Sequence, residues 1–94
     1  MRTSHITLAA SAVLQSVRFS GRGCVTLLTI SHAEASPQAV SIYAGDGTTL
    51  LAQYIVDPGQ SPYTLQYPRG QELWFANGLQ VLTGSCVVNL AVVW

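Results

Sequence analysis

Turn-forming clusters cut this chain at intervals of roughly ten residues, the spacing of an all-β sandwich or barrel. They are Gly21-Arg22-Gly23, the loop around Pro37, Gly45-Asp46-Gly47, Asp57-Pro58-Gly59, Pro68-Arg69-Gly70, Asn77-Gly78 and Gly84-Ser85. The pieces between them are short and rich in Val, Ile, Leu, Thr and Tyr, and none has the 3.6-residue period of a surface helix. Residues 5–10, 12–17, 24–31, 40–44, 50–56, 63–67, 73–76, 79–83 and 86–94 read as strands. In residues 40–44, Val40, Ile42 and Ala44 fall on one face, with Ser41 and Tyr43 on the other. Gly45-Asp46-Gly47-Thr48 predicts a hairpin between residues 40–44 and 50–56, and Asn77-Gly78 predicts a second between residues 73–76 and 79–83. A turn is predicted at Phe19-Ser20-Gly21-Arg22-Gly23. Pro58, Pro62 and Pro68 all fall between strands, where a missing N–H does no harm. The reading is one domain over residues 1–94, an antiparallel β-sandwich of jelly-roll type with about eight short strands.

Charge is scarce. Only 8 of the 94 residues are charged: Arg2, Arg18, Arg22 and Arg69 against Glu34, Asp46, Asp57 and Glu72. There is no lysine, the formal net charge is zero, and 49% of the residues are hydrophobic. A solitary soluble domain usually carries a mixed surface of about a quarter charged residues. Much of this surface is therefore expected to be covered by copies of the chain or by a larger assembly. The last segment supports this. Cys86, Val88, Leu90, Val92 and Trp94 form the expected inward set, and three of the four alternate residues, Val87, Ala91 and Val93, are apolar too. Val87, Ala91 and Val93 are therefore interface candidates. So are Ile6, Leu8 and Val13 in residues 1–17, a segment with one charge that reads as an N-terminal arm or added edge strand.

Other classes are poorly served. Four scattered arginines make no basic stripe for nucleic acid. No apolar run reaches the 18 or more residues of a membrane helix. Ala10-Ser11-Ala12 resembles a signal-peptidase site, but too little apolar chain precedes it, so the expectation is cytoplasmic synthesis without a leader. His32 with Glu34 lacks a third metal partner and reads as solvated surface; Asp46 lacks the companions of a calcium loop. No nucleophile, base and oxyanion donor can be named together, which points to a non-enzymatic protein without cofactor or metal. Trp74, Phe75, Tyr43, Tyr54, Tyr63 and Tyr67 leave a sugar-stacking face as a second reading. Cys24 and Cys86 have no Cys-x-x-Cys spacing. They read as two buried thiols or as a disulfide between two strands.

From Phe19 to Trp94 the order of turns and strands resembles the small β-sandwich structural proteins of tailed bacteriophages, including capsid decoration (cement), neck and fibre proteins. The segment Pro68-Arg69-Gly70-Gln71-Glu72-Leu73-Trp74-Phe75-Ala76-Asn77-Gly78-Leu79-Gln80-Val81 carries most of the likeness. The resemblance implies a structural protein of the virion without catalytic residues. Its implied partners are copies of itself, as a homotrimer, and the major capsid protein. Neck, baseplate or fibre component and carbohydrate-binding host-recognition module are the alternatives. In such proteins the chain ends serve as arms that grip neighbours, the role expected here of residues 1–17.

Overall fold

The computed structural model describes residues 2–19 and 21–94. Met1, at the start of the predicted arm, and Ser20, inside the predicted turn, lie outside the described residues. Nine strands follow in order: β1 (Thr3–Leu8), β2 (Gln15–Val17), β3 (Gly23–Ser31), β4 (Gln38–Ala44), β5 (Leu50–Val56), β6 (Tyr63–Gln66), β7 (Leu73–Phe75), β8 (Leu79–Leu82) and β9 (Val87–Val93). The one 3-10 turn among the described residues, Pro58–Gln60, occupies the predicted Asp-Pro-Gly turn. The strands make two antiparallel sheets in a body of 38 × 27 × 19 Å. One sheet has the order β1-β9-β3, with β6 and β7 both on the far edge of β3; the other has the order β2-β8-β4-β5.

The pairing is nested. β4 pairs with β5, β3 with β6 and β7, β2 with β8, and β1 with β9. The chain behaves as a long hairpin bent at residues 45–49 and rolled up, which is the jelly-roll arrangement. β6 and β7 together fill the place of one strand, with residues 67–72 bulging between them.

The core lies between the sheets. Val25, Leu28, Ile30, Val88, Leu90 and Val92 face inward from the five-stranded sheet, opposite Val17, Val40, Ile42, Val56, Leu79 and Val81 from the other. At roughly 1.5–3 kcal/mol for each fully buried aliphatic side chain, this double layer is the main source of stability. The inward set expected of the last strand is largely observed; Trp94 is partly buried, against Phe19.

One expectation needs correction, and two pairs of alternatives are decided. Asn77-Gly78 does not close a hairpin: β7 pairs with β3 in one sheet and β8 with β4 and β2 in the other, so this turn carries the chain between sheets. Gly78 is needed there for its φ of +81° and because a methyl group would strike the Val17 carbonyl oxygen. For the N-terminal segment the edge-strand reading is observed and the free arm is not: β1 closes one edge of the five-stranded sheet and β2 one edge of the other. Leu8 is buried in its own chain's core and so is not available to a neighbour, while Ile6 packs on that core and stays partly exposed. Of the two readings of the cysteines, the separate buried thiols are observed and the disulfide is not. Cys24 is in register with Val93, whereas Cys86 precedes Val87 at the opposite end of the same strand. Six residues of strand, about 20 Å, separate those positions, and a disulfide needs Cα atoms about 5.5–6 Å apart.

The crossing from β1 to β2 is fixed by one buried hydroxyl. Thr83 is fully buried; its Oγ1 donates to the Ala9 carbonyl (3.0 Å) and accepts from Ser11 N (3.0 Å) and Gln15 Nε2 (3.1 Å). Replacing it by the near-isosteric valine strands the Ser11 N–H. Thr83→Val is expected to lose about 1–3 kcal/mol of unfolding free energy, measurable by urea titration. A chain starting at Ser16, lacking β1 and its buried Leu8, is expected to be destabilised as a monomer, not merely in assembly.

Candidate interaction surfaces

None of the eight charged residues lies in a strand. The outer faces of both sheets are therefore built from uncharged side chains alone. On the five-stranded sheet, registered neighbours form rows across the strands. Thr7, Asn89, Thr29 and Thr64 make one, with Thr7 Oγ1 donating to Asn89 Oδ1 at 2.6 Å. His5, Ala91, Leu27 and Gln66 make the next. The opposite sheet shows Ser16, Gln80, Tyr43 and Leu50, then Leu82, Ser41 and Gln53, with Gln53 Nε2 donating to Ser41 Oγ at 3.1 Å.

The expected interface residues separate on these faces. Val87 and Val13 are exposed, Val93 is half-buried, and Ala91 is only 7% exposed. Ala91 is sheltered because His5 and Leu27 flank it on the neighbouring strands. Exposed apolar side chains that the sequence did not single out are Leu50 and Ile55 on the edge strand β5. The free edges of β1 and β5 contain neither proline nor charge, the usual protections against strand pairing.

The aromatic residues do not form one sugar-stacking plane. Phe75 is buried against Phe19, with ring centroids 5.5 Å apart. Tyr54, Tyr63 and Tyr67 pack partly on the core where the β5 and β6 edges meet, and the Tyr54 and Tyr67 hydroxyls hydrogen-bond to each other. Burial, then the bond to Tyr54, raises the Tyr67 pKa well above that of a free phenol. Trp74 is 51% exposed, but the Arg22 guanidinium lies 5.1 Å from the centre of its ring.

Topology sorts the charges. Residues 18–19 and 21–22 and the loops 45–49 and 76–78 meet at one end of the sandwich, beside Arg2 and Trp94. That end holds Arg2, Arg18 and Arg22 against Asp46, a net of +2. The other end gathers loops 9–14, 32–37, 57–62 and 83–86, and holds Glu34 and Asp57, a net of −2. Arg69 and Glu72 cancel on the lateral 67–72 bulge. The scattered arginines of the sequence are thus three parts assembled. A shallow cleft of about 280 Å³ opens at the positive end, lined by Arg18, Phe19, Asn77 and Leu79 among others.

Several of these charges are already engaged. Asp46 Oδ1 accepts from Thr48 N (2.8 Å) and Thr49 N (2.9 Å), and Oδ2 accepts from Thr49 Oγ1 (2.7 Å). These bonds, led by the Thr49 N–H, hold its carboxyl down at about 2. It is a turn cap, and no calcium ligand set surrounds it. Glu72 is likewise lowered, chiefly by the Gly70 N–H. Arg2 lies over the Trp94 ring at 5.3 Å.

His32 is not loose surface either. Its Nε2 meets the Val56 carbonyl at 2.9 Å, and its Nδ1 accepts from Glu34 N at 3.1 Å. The ring therefore carries its proton on Nε2 and pins loop 32–37 to the end of β5. Among the described residues, no group of three His, Cys, Asp or Glu side chains is placed to hold a metal. No helix among them is long and apolar enough to cross a membrane. Burial, and secondarily Glu72 for Cys24 and Glu34 for Cys86, raises both thiol pKa values, the direction that suppresses reactivity. Comparison of the chain with protein-family models, curated proteins and solved structures finds no match.

Two predictions follow from the titrating groups. Both cysteines should be silent to a thiol reagent in the native protein and react fully in denaturant, with reducing agent leaving the melting temperature unchanged. Because the Asp46 carboxyl is held below its ordinary 3.8, its stabilising effect is complete above that pH and fades as pH falls toward about 2. Asp46→Asn should therefore melt below the wild type at neutral pH, with the gap closing toward pH 2.

Proposed function

We propose that this chain is a non-enzymatic structural subunit of a tailed-bacteriophage particle. Its role is that of a capsid decoration protein, stabilising the shell through contacts with its own copies, as a trimer, and with the major capsid protein. The observation that carries the reading is the confinement of every charge to loops. It leaves two uncharged sheet faces and two unprotected strand edges on a body of 94 residues. Faces of this kind aggregate if left bare and are stable when covered. The jelly roll is compatible with this role, being a recurrent architecture of viral capsid and lectin domains. Fold alone does not assign function, and here the surface chemistry adds the weight.

A carbohydrate-binding module is the second reading, favoured only by the half-exposed Trp74. The Arg22 guanidinium over that ring competes for the stacking surface a sugar would need.

Quantitative peptide mass spectrometry of gradient-purified particles tests the proposal. Decoration predicts copies in the hundreds per particle relative to the major shell protein. A dozen or fewer would assign the chain to a neck, baseplate or fibre. Absence from purified particles would remove the reading.

A further inference from the structure

The charges that the fold itself does not use lie at opposite ends of the molecule. Of the four carboxylates, Asp46 and Glu72 are tied to backbone N–H groups of their own turns. Asp57 caps the Pro58–Gln60 turn, and among the described residues Glu34 alone of the four has no such bond; both stand at the negative end. Of the four arginines, Arg2 and Arg22 lie on tryptophan rings, and Arg69 shares the lateral bulge with Glu72, whose charge it helps to favour. Arg18 remains, at the mouth of the positive-end cleft.

That cleft is shaped to take a loop. Phe19 and Leu79 are among the apolar members of its lining, and Ser16, Arg18, Asn77 and Gln80 are the polar ones. The Gly45 position adds no side chain to its wall, and a methyl group there would strike the Asn77 carbonyl oxygen. The negative end presents a segment of matching chemistry. Loop 32–37 reads His-Ala-Glu-Ala-Ser-Pro, is exposed from Ala33 onward, and holds Glu34 between two small alanines. His32 fixes the base of that loop through both ring nitrogens and through its backbone N–H to Ser61 Oγ at 3.0 Å. It is therefore presented as a braced projection, at little further cost in ordering.

We propose that copies of this chain associate head to tail, with Glu34 on loop 32–37 of one copy seated against Arg18 in the positive-end cleft of the next. The occupant is a second copy because the two ends carry equal and opposite net charge, +2 and −2, while the faces between them carry none. Such a contact is heterologous. It closes into a ring, a trimer included, where the rotation between copies allows, and otherwise continues as a filament. The contact rests on the proposed structural role in that it names the surface through which copies meet.

Sedimentation velocity on the purified protein tests it, with Arg18→Glu, Glu34→Arg and an equimolar mixture of the two. Both side chains are exposed, so the melting temperature should hold and serve as the folding control. The wild type is expected to assemble in a salt-sensitive manner. Each reversal should weaken association about tenfold or more, and mixing should restore complementary contacts between unlike copies, all of them in a filament or an even-membered ring and two of three in a trimer. Single variants that assemble as the wild type does would place the interface elsewhere and overturn the contact, leaving the virion role intact. A wild type that stays monomeric at all concentrations would overturn it outright. A chain that assembles as described yet is missing from particles would sink the virion role alone.

Discussion

The ladder between β3 and β9 is the interaction on which the rest of the sandwich hangs. Both strands are central, and β1, β6 and β7 have no other partner than one of them. The inward residues of the ladder, Val25, Leu28 and Ile30 against Val88, Leu90 and Val92, are among the most deeply buried in the molecule. They join the first third of the chain to its last segment. Sheets assembled from such distant pieces must close long loops before any contact rewards them, which makes folding slow for the size of the domain. One hydroxyl at the far end of this region, Thr83, settles where the first connection crosses between sheets.

Local chemistry announces strands and turns; it does not announce which sheet a strand joins. The runs of Val, Ile, Leu and Thr and the turn clusters between them gave boundaries within two residues of those observed, except that β2 begins at Gln15, three residues later than expected. The Gly45-Asp46-Gly47 hairpin was also legible, because its carboxylate satisfies the turn from within. Asn77-Gly78 misled because the same conformational freedom serves a sheet-to-sheet crossing pressed against Val17. The two cysteines gave no sign of their separation, which depends on register alone. The charged ends were equally hidden. Arg2, Arg18 and Arg22 become one group, and Glu34 and Asp57 another, only when alternate loops are folded to opposite ends. Ile6 and Leu8 show the limit of reading exposure from pattern, since an apolar edge strand looks the same whether it covers its own core or a neighbour's.

Where charge is placed decides which surfaces stay dry. A carboxylate or guanidinium in a strand would oblige the outer sheet faces to remain hydrated; here every such group is moved to a loop or a chain end. The hydroxyl and amide rows that remain, Thr7-Asn89-Thr29-Thr64 above all, satisfy one another across the strands. They are cheaper to desolvate than ions and still soluble enough to keep the chain dispersed while it folds.

The two extremities of the described chain sit on one rung: Arg2 N donates to the Trp94 carbonyl at 2.6 Å, and Trp94 N to the Arg2 carbonyl at 2.8 Å. Topologically the fold is thus a nearly closed circle, opened where β1 and β9 meet. A circularly permuted chain, joined across that rung and opened in the Asp46 turn, would keep every strand pair. It would also turn the order of closure inside out. β1 and β9 would become the innermost hairpin, and β4 and β5, now the most local pair, would become the last to meet.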